Sequence, residues 1–173
     1  MNSRHLRAFV VFLFACGASE RGYTAKIENE VLVISLDRGN AVFCSKALNR
    51  TFIPRAGFPS KVVAFAVRSH EDAIWGKGRE LLLTHANGWT TALRLYPGQP
   101  FAHVLSTAVN RTDRPASMKQ ASLFSYEVDL GIPVEQVRVL GTGGLTGMQA
   151  DGSYSWSAVV DPATRNGVVT FPP

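Results

Sequence analysis

Three aspartates are the side chains that could cleave a glycosidic bond, a reaction that requires two carboxylates flanking the bond. Asp129 lies in a segment where apolar and polar residues alternate, Asp151 is followed by Gly152, and Asp161 precedes Pro162. The alternation places Asp129 on the polar face of a strand, and the neighbouring Gly and Pro place the other two in turns. We therefore predict no catalytic pair within this chain.

Motifs for cofactors, metals and acyl transfer are incomplete. The segment Gly141-Thr142-Gly143-Gly144 begins like a phosphate-binding loop, but the third glycine position of the dinucleotide fingerprint is Thr146 and no helix is predicted after it. His70-Glu71 begins like a zinc-protease motif, but the second histidine position is Ile74. No serine lies in a Gly-x-Ser-x-Gly motif. We expect no cofactor and no metal.

Tryptophans are the best candidates for ligand binding, because an aromatic face packs well on the apolar C–H side of a pyranose ring. Trp75 and Trp89 fall in predicted loops, whereas Trp156 alternates with serines and is predicted to lie in the core. We expect Trp75 and Trp89 to be the carbohydrate-binding residues. The alternative is that all three tryptophans are core or interface residues.

Length and charge limit the function further. A chain of 173 residues corresponds to about one domain. The net charge is +5, but the arginines and lysines are dispersed, and nucleic-acid binding requires a clustered basic surface. We therefore expect no nucleic-acid partner.

Residues 1–18 have the pattern of a secretory leader, in which Arg4 and Arg7 precede the apolar run Ala8–Ala15. The run is too short to span a bilayer. Cleavage after Ala18 is favoured over lipidation of Cys16. We predict export to the periplasm or the cell exterior, with membrane attachment only through a lipidated Cys16. Cys44, left alone after cleavage, is predicted to be a small buried residue.

Strand patterns dominate from Lys26 onward. In Leu123–Leu130, the residues Phe124, Tyr126, Val128 and Leu130 alternate with polar ones, which predicts a half-buried strand. More apolar runs, Val31–Leu36 and Lys61–Val67, predict strands covered on both faces in the middle of a sandwich.

Turn signals separate these strands at intervals of about ten residues, which favours an antiparallel sandwich or barrel. Asn87-Gly88 predicts a type I′ hairpin that pairs Glu80–Ala86 with Trp89–Tyr96. Phe101–Val109 is predicted to continue this meander. The predicted fold class is therefore all-β, an antiparallel β-sandwich forming a single domain over residues 26–173 after the leader.

Several stretches together resemble the N-terminal β-supersandwich of bacterial α-galactosidase-like proteins, in the clan of melibiases and raffinose-synthase relatives. In order along the chain they are Ile74-Trp75-Gly76-Lys77-Gly78-Arg79-Glu80-Leu81, Leu95-Tyr96-Pro97-Gly98-Gln99-Pro100-Phe101, Asn110-Arg111-Thr112, Val139-Leu140-Gly141-Thr142-Gly143-Gly144-Leu145, and residues 152–169, GSYSWSAVVDPATRNGVV. The resemblance covers most of the chain after the leader, and none of these motifs is catalytic.

The resemblance implies a noncatalytic accessory domain in carbohydrate metabolism. In such enzymes two aspartates on a downstream (β/α)₈ barrel perform the reaction beside the sandwich. This chain ends at Pro173 without the barrel, so the sandwich is expected to be incomplete at its C-terminus and its partner to be the missing barrel. The alternative is an independent module that binds galactose-containing oligosaccharides, or a structural protein of the cell envelope.

Overall fold

The computed structural model describes residues 25–110, 114, 124–141, 144–146 and 156–171. These residues form β-strands joined by turns, with one 3₁₀ turn at Val134–Gln136. The strands are β1 Ala25–Glu28, β2 Leu32–Asp37, β3 Asn40–Ser45, β4 Arg50–Gly57, β5 Val62–Asp72, β6 Gly76–His85, β7 Thr90–Leu95, β8 His103–Thr107, β9 Ser125–Glu127, β10 Arg138–Gly141, β11 Gly144–Thr146, β12 Ser157–Val160 and β13 Gly167–Thr170.

The strands form three antiparallel sheets. Sheet A has the order β1-β2-β3-β4-β9, sheet B the order β5-β6-β7-β8, and sheet C the order β11-β10-β12-β13. Sheets A and B pack face to face, and the predicted all-β sandwich is thereby confirmed. In the part of the chain described, no helix is long and apolar enough to cross a membrane. The predicted leader, with Cys16, lies outside the described residues.

The core forms where the apolar positions of sheets A and B face each other. Alternation within each strand places every second side chain inside. The buried side chains come from β1 to β4 on one side and from β6 and β7 on the other: Ala25, Ile27, Ile34, Leu36, Ala41, Phe43, Ile53, Ala56, Leu81, Leu83, Leu93 and Leu95. Burying one Leu or Ile stabilises the fold by about 1.5–3 kcal/mol, so this cluster holds the two sheets together.

The predicted pairing of β6 with β7 is confirmed, but the predicted turn type is wrong. The His85 amide donates to the Trp89 carbonyl at 2.9 Å, which leaves a loop of three residues between them. Gly88 has a φ of 81°, whereas Asn87 is not among the residues with positive φ. A type I′ turn requires positive φ at both central residues. The loop is instead a turn that ends in a left-handed glycine.

The type I′ geometry occurs at a different hairpin. Arg38 and Gly39 have φ values of 47° and 80°, and Asp37 pairs directly with Asn40 across the end of β2 and β3. A two-residue loop of this kind matches the twist of the flanking strands. The stretch Asp37-Arg38-Gly39-Asn40 is one of the turn signals in the sequence, and the structure shows which type of turn it forms.

The interior position predicted for Lys61–Val67 is wrong. β5 is an edge strand that pairs only with β6 in sheet B. Val63, Phe65 and Val67 are 51%, 36% and 38% exposed. Phe65 and Val67 lie opposite Leu83 and Leu81 and share their core-facing side, but sheet A does not cover the sheet edge fully. A continuous apolar run is compatible with an interior strand and with an apolar edge.

The alternation predicted for Leu123–Leu130 is confirmed from Phe124 onward. Burial alternates along residues 124–130 and ends at the buried Leu130. Only Ser125–Glu127 form ladder pairs, with β4. The Tyr126 hydroxyl donates to the Thr170 hydroxyl at 3.2 Å and connects sheet A to sheet C.

Two predicted core residues are less buried than expected. Trp156, just before β12, is 37% exposed. Cys44 is half-buried, with its Sγ 3.0 Å from Thr51 Oγ1. Cys44 follows the buried Phe43 in β3, so the alternation of the strand turns its side chain away from the core.

Candidate functional site

Asp161 has a structural role in a turn. Its two carboxylate oxygens accept hydrogen bonds from the Ala163 amide at 2.9 Å and from the Thr164 hydroxyl at 2.6 Å. The Thr164 hydrogen bond, followed by the Ala163 amide, lowers the pKa of Asp161. A carboxylate held in this way cannot act as the protonated acid of a glycosidase pair.

Asp129 is also held within a turn. Asp129 is exposed and accepts a hydrogen bond from the Gly131 amide at 2.7 Å, within its own turn. Asp151 lies outside the described residues. Among the described residues, no group of three or more His, Cys, Asp and Glu side chains is arranged to hold a metal.

Among the described residues, a group of interacting charged side chains lies on the outer face of sheet B, the face opposite Leu81, Leu83 and the rest of the core. Strand register places four residues side by side on this face: Arg68 on β5 pairs with Glu80 on β6, Glu80 pairs with Arg94 on β7, and Arg94 pairs with His103 on β8. We call Arg68, Glu80, Arg94 and His103 the charged row.

Glu80 is at the centre of the charged row and is fully buried. Its Oε1 accepts from Arg68 Nε at 2.5 Å, and its Oε2 accepts from Arg94 Nε at 2.7 Å. Burial acts to raise the pKa of Glu80, but the hydrogen bonds and charges of Arg94 and Arg68 outweigh it, so the pKa lies below its ordinary value. Glu80 is therefore ionised at neutral pH and fixes both guanidinium groups.

The neighbouring row contains His70, Gly78 and Tyr96. The Tyr96 ring lies over Gly78, so that a Cβ added to Gly78 would be 2.7 Å from Tyr96 Cδ1 and 2.6 Å from the Leu95 carbonyl oxygen. The Tyr96 hydroxyl is buried and has no hydrogen-bond partner among the described residues. Burial, reinforced by the charge of Asp72, raises the pKa of Tyr96 above its usual range. The hydroxyl thus stays protonated.

Trp75 lies at the end of the same face, in the hairpin loop between β5 and β6. Asp72 Oδ1 accepts from the Ile74 and Trp75 amides at 2.8 and 3.1 Å, which fixes the loop backbone. The indole is 43% exposed. It packs edge-on against Phe101, with ring centroids 4.9 Å apart, and lies 6.4 Å from the Tyr96 ring. Trp75 is therefore a partly exposed aromatic ring that packs against Phe101 and Tyr96 on its buried side.

The loop that supplies Tyr96 is anchored to sheet A. The Asn29 side chain donates to the Tyr96 and Gln99 carbonyls at 2.7 and 2.9 Å. The Gly98 amide donates to Glu30 Oε2 at 2.7 Å. These contacts fix the Pro97-Gly98 turn, where a positive φ of 68° at Gly98 follows the proline as in a type II turn. The aromatic cluster is consequently held by both sheets.

Trp89 is not part of this cluster. It is half-buried in the loop between β6 and β7, at the other end of β6 from Trp75. The 10 residues of β6 separate the two tryptophans by about 30 Å. The structure therefore does not bring the two predicted sugar-binding residues together.

A second polar cluster lies on the core-facing side of sheet B. His85 Nδ1 is 3.1 Å from the Ser60 carbonyl, and Nε2 is 2.8 Å from Thr91 Oγ1, which is 3.0 Å from Ser106 Oγ. Since the carbonyl can only accept, Nδ1 donates and Nε2 accepts. Burial lowers the pKa of His85. Because Thr91 is 1% exposed, this cluster offers no accessible nucleophile at that position.

A shallow groove of about 270 Å³ lies at the edge of sheet A, between β4 and β9. Its lining residues are Arg55, Gly57, Ser125, Tyr126 and Glu127. Arg55 and Glu127 form an exposed ion pair at 3.7 Å, which contributes little binding energy of its own. This groove has no exposed tryptophan and no buried charge, and the outer face of sheet B is the stronger candidate site.

The role of Trp75 in sugar binding stays a prediction from the sequence, and the charged row was not predicted. Glu80 lies between Arg79 and Leu81, so its neighbours in sequence give no sign of burial. The signal is present only across strands, because Arg68, Glu80 and Arg94 meet once the register is known. Comparison of the chain with protein-family models, curated proteins and solved structures found no match in any of the three. The resemblance to α-galactosidase-like proteins therefore stays a prediction from the sequence motifs.

Proposed function

We propose that this chain is a noncatalytic accessory domain of an α-galactosidase-like glycoside hydrolase, and that the outer face of sheet B contacts a galactose-containing oligosaccharide. The observation that carries the proposal is Trp75, an exposed indole supported by Phe101 and Tyr96. A supported ring loses little conformational entropy when a sugar stacks on it. The engagement of Asp161 and Asp129 in turns is consistent with a noncatalytic role.

Removing the indole tests the sugar contact. We expect Trp75→Ala to weaken binding of raffinose, a galactose-containing trisaccharide, by about tenfold or more, a factor equal to about 1.4 kcal/mol. Trp89→Ala is the matched control and is expected to bind like the wild type, because Trp89 lies about 30 Å away. Isothermal titration calorimetry measures both, and circular dichroism confirms that each variant is folded.

Two results would contradict this prediction: equal loss of binding in both variants, or full binding by Trp75→Ala.

Catalysis is tested separately with an aryl α-galactoside. We expect the wild-type chain to release no nitrophenol. Release that disappeared in Asp151→Asn or Asp161→Asn would overturn the noncatalytic assignment.

The apolar edge of β5 supports the accessory role. A domain that braces a catalytic barrel needs an apolar surface for that contact, and Val63, Phe65 and Val67 are 51%, 36% and 38% exposed along one edge strand. Long apolar edge strands also promote association between chains. The isolated chain is therefore expected to self-associate.

A charge on β5 should reduce that association. We expect Val63→Lys to shift the wild-type chain toward monomer in sedimentation velocity, because lysine disfavours pairing at a sheet edge. Leu48→Lys is the control, since Leu48 is 50% exposed and Val63 is 51% exposed, but Leu48 lies in the turn between β3 and β4. A wild-type chain that stays monomeric when concentrated, or an equal effect of both variants, would contradict the role of β5.

An independent carbohydrate-binding module is the second candidate. It is favoured by the fact that Trp75, Phe101 and Tyr96 all belong to sheet B and its loops, so the aromatic surface needs no residue from another domain. A monomeric wild-type chain that nevertheless binds raffinose through Trp75 would support this candidate over the accessory domain.

A further inference from the structure

The two arginines of the charged row are oriented for a further ligand. Each guanidinium contacts Glu80 through Nε alone, Arg68 at 2.5 Å and Arg94 at 2.7 Å. The Arg68 side chain is 56% exposed, so its terminal Nη groups reach solvent, whereas the Arg94 side chain is 15% exposed. Arg68 is therefore the more accessible donor of the two.

The charges of the row do not cancel. Glu80 supplies one negative charge against the positive charges of Arg68 and Arg94. His70, with Nδ1 at 3.8 Å from Glu80 Oε2, adds positive charge when protonated. The next acidic residue on this face is Asp72, which lies beyond His70 and accepts hydrogen bonds from the Ile74 and Trp75 amides. The row thus carries excess positive charge and suits an anion.

Stability alone gives a weak reason for such a row. A buried carboxylate with two arginines is often no more stabilising than apolar residues of similar volume, because each charge must leave water. Arginine paired with carboxylate forms strong, planar, directional hydrogen bonds. Glu80 therefore serves best as a positioning residue, which holds the largely buried Arg94 guanidinium beside the exposed Arg68 guanidinium.

Trp75 lies on the same face as the charged row, and the distance between them matches the length of a short oligosaccharide. The charged row is two strand rows from the Asp72–Gly76 pair that closes the Trp75 loop. Rows on one face are about 7 Å apart, so the separation is about 14 Å. A trisaccharide with one ring on Trp75 extends over His70 and Tyr96 to the arginines.

We propose that Arg68 and Arg94 bind the carboxylate of a uronic acid in an oligosaccharide whose other end stacks on Trp75. This inference rests on the proposed sugar-binding function and adds that acidic sugars bind more tightly than neutral ones. The carboxylate accepts hydrogen bonds from the Nη groups, while Glu80 holds the guanidinium groups in place.

The test compares trigalacturonate with its fully methyl-esterified form, which has the same rings without the charges. By calorimetry at low salt, we expect the wild-type chain to bind the acid at least tenfold more tightly than the ester. Arg68→Gln is expected to remove most of that difference. Arg55→Gln is the matched control, because Arg55 is also exposed and also paired with a glutamate but belongs to sheet A.

Arg68→Lys provides a second variant that keeps the charge. It is expected to bind the acid with intermediate affinity, since lysine lacks the planar fork. Added sodium chloride should weaken binding of the acid and leave the ester unchanged. Equal affinity for acid and ester, or unchanged discrimination in Arg68→Gln, would overturn the proposal. If raffinose still bound through Trp75, the proposed function would stand, whereas no binding of any of these sugars would overturn both.

Discussion

Replacing Glu80 with alanine is expected to lower the free energy of unfolding by about 3 kcal/mol, because removing one partner of a buried ion pair leaves the remaining charges uncompensated. Arg94 is the more affected neighbour, since its side chain is 15% exposed and that of Arg68 is 56% exposed. Water can solvate part of the Arg68 charge, which keeps the loss at the low end of the usual range. Urea unfolding followed by tryptophan fluorescence measures the effect.

Glu71→Ala is the control for this change. Glu71 is an exposed glutamate on β5, close to Arg68 in sequence, and its loss is expected to change stability by no more than about 0.5 kcal/mol. Similar losses for both variants would mean that Glu80 contributes no more than an ordinary surface charge. The description of the charged row would then be wrong.

The pKa shift of Glu80 also predicts how the free energy of unfolding depends on pH. Its pKa is lowered on folding, so the unfolded chain takes up a proton first as the pH falls. The stabilisation is complete above the unfolded pKa of about 4.3 and is lost as the pH falls through the lower folded value. The stability difference between wild type and Glu80→Gln should therefore shrink in acid. Because both proteins share every other carboxylate, the comparison isolates this one.

The second large effect is expected at Gly78, where an added methyl group has no room. In Gly78→Ala the Cβ would be 2.6 Å from the Leu95 carbonyl oxygen and 2.7 Å from Tyr96 Cδ1. Relief requires the Tyr96 ring to move, and overpacking of this kind destabilises proteins by about 1–3 kcal/mol. We expect about 2–3 kcal/mol, because backbone as well as side chain obstructs the methyl group. The shift in Tyr96 should also displace Trp75 and weaken sugar binding.

Gly57→Ala is the control for the glycine change. Gly57 also lies in a strand, as the last residue of β4. An added Cβ there would be 3.5 Å from Asn40 Oδ1 and 3.7 Å from Ser125 Oγ, which are ordinary contacts. It is expected to lose less than about 1 kcal/mol. If Gly78→Ala unfolded at the same urea concentration as Gly57→Ala, the close contact between Tyr96 and Gly78 would be refuted.

Local patterns were sufficient to predict the fold class and several strands. Alternation along residues 124–130 was predicted correctly, because burial on one face leaves a period of two in the sequence. The same rule failed for Lys61–Val67, since an apolar run does not tell an interior strand from an apolar edge. The pairing of β6 with β7 was predicted from the turn signal at Asn87-Gly88.

The turn type at Asn87-Gly88 determines which residue of β7 lies opposite Glu80. A two-residue type I′ loop would place Glu80 opposite Leu95. The three-residue loop places Glu80 opposite Arg94 instead, and a slip of one residue changes every cross-strand pair. Asn-Gly favours a type I′ hairpin, but tertiary contacts decide the outcome here, since the Ala86 amide of this loop donates to the Lys61 carbonyl at 2.8 Å. The candidate site thus depends on a register that local turn chemistry does not determine.

The indole N–H signals of the three tryptophans provide the most direct test of where a sugar binds. In a ¹⁵N–¹H correlation spectrum recorded during titration with raffinose, we predict that the Trp75 signal shifts progressively while those of Trp89 and Trp156 stay in place. If the Trp89 or Trp156 signal shifted while the Trp75 signal stayed in place, the sugar would not bind to the outer face of sheet B.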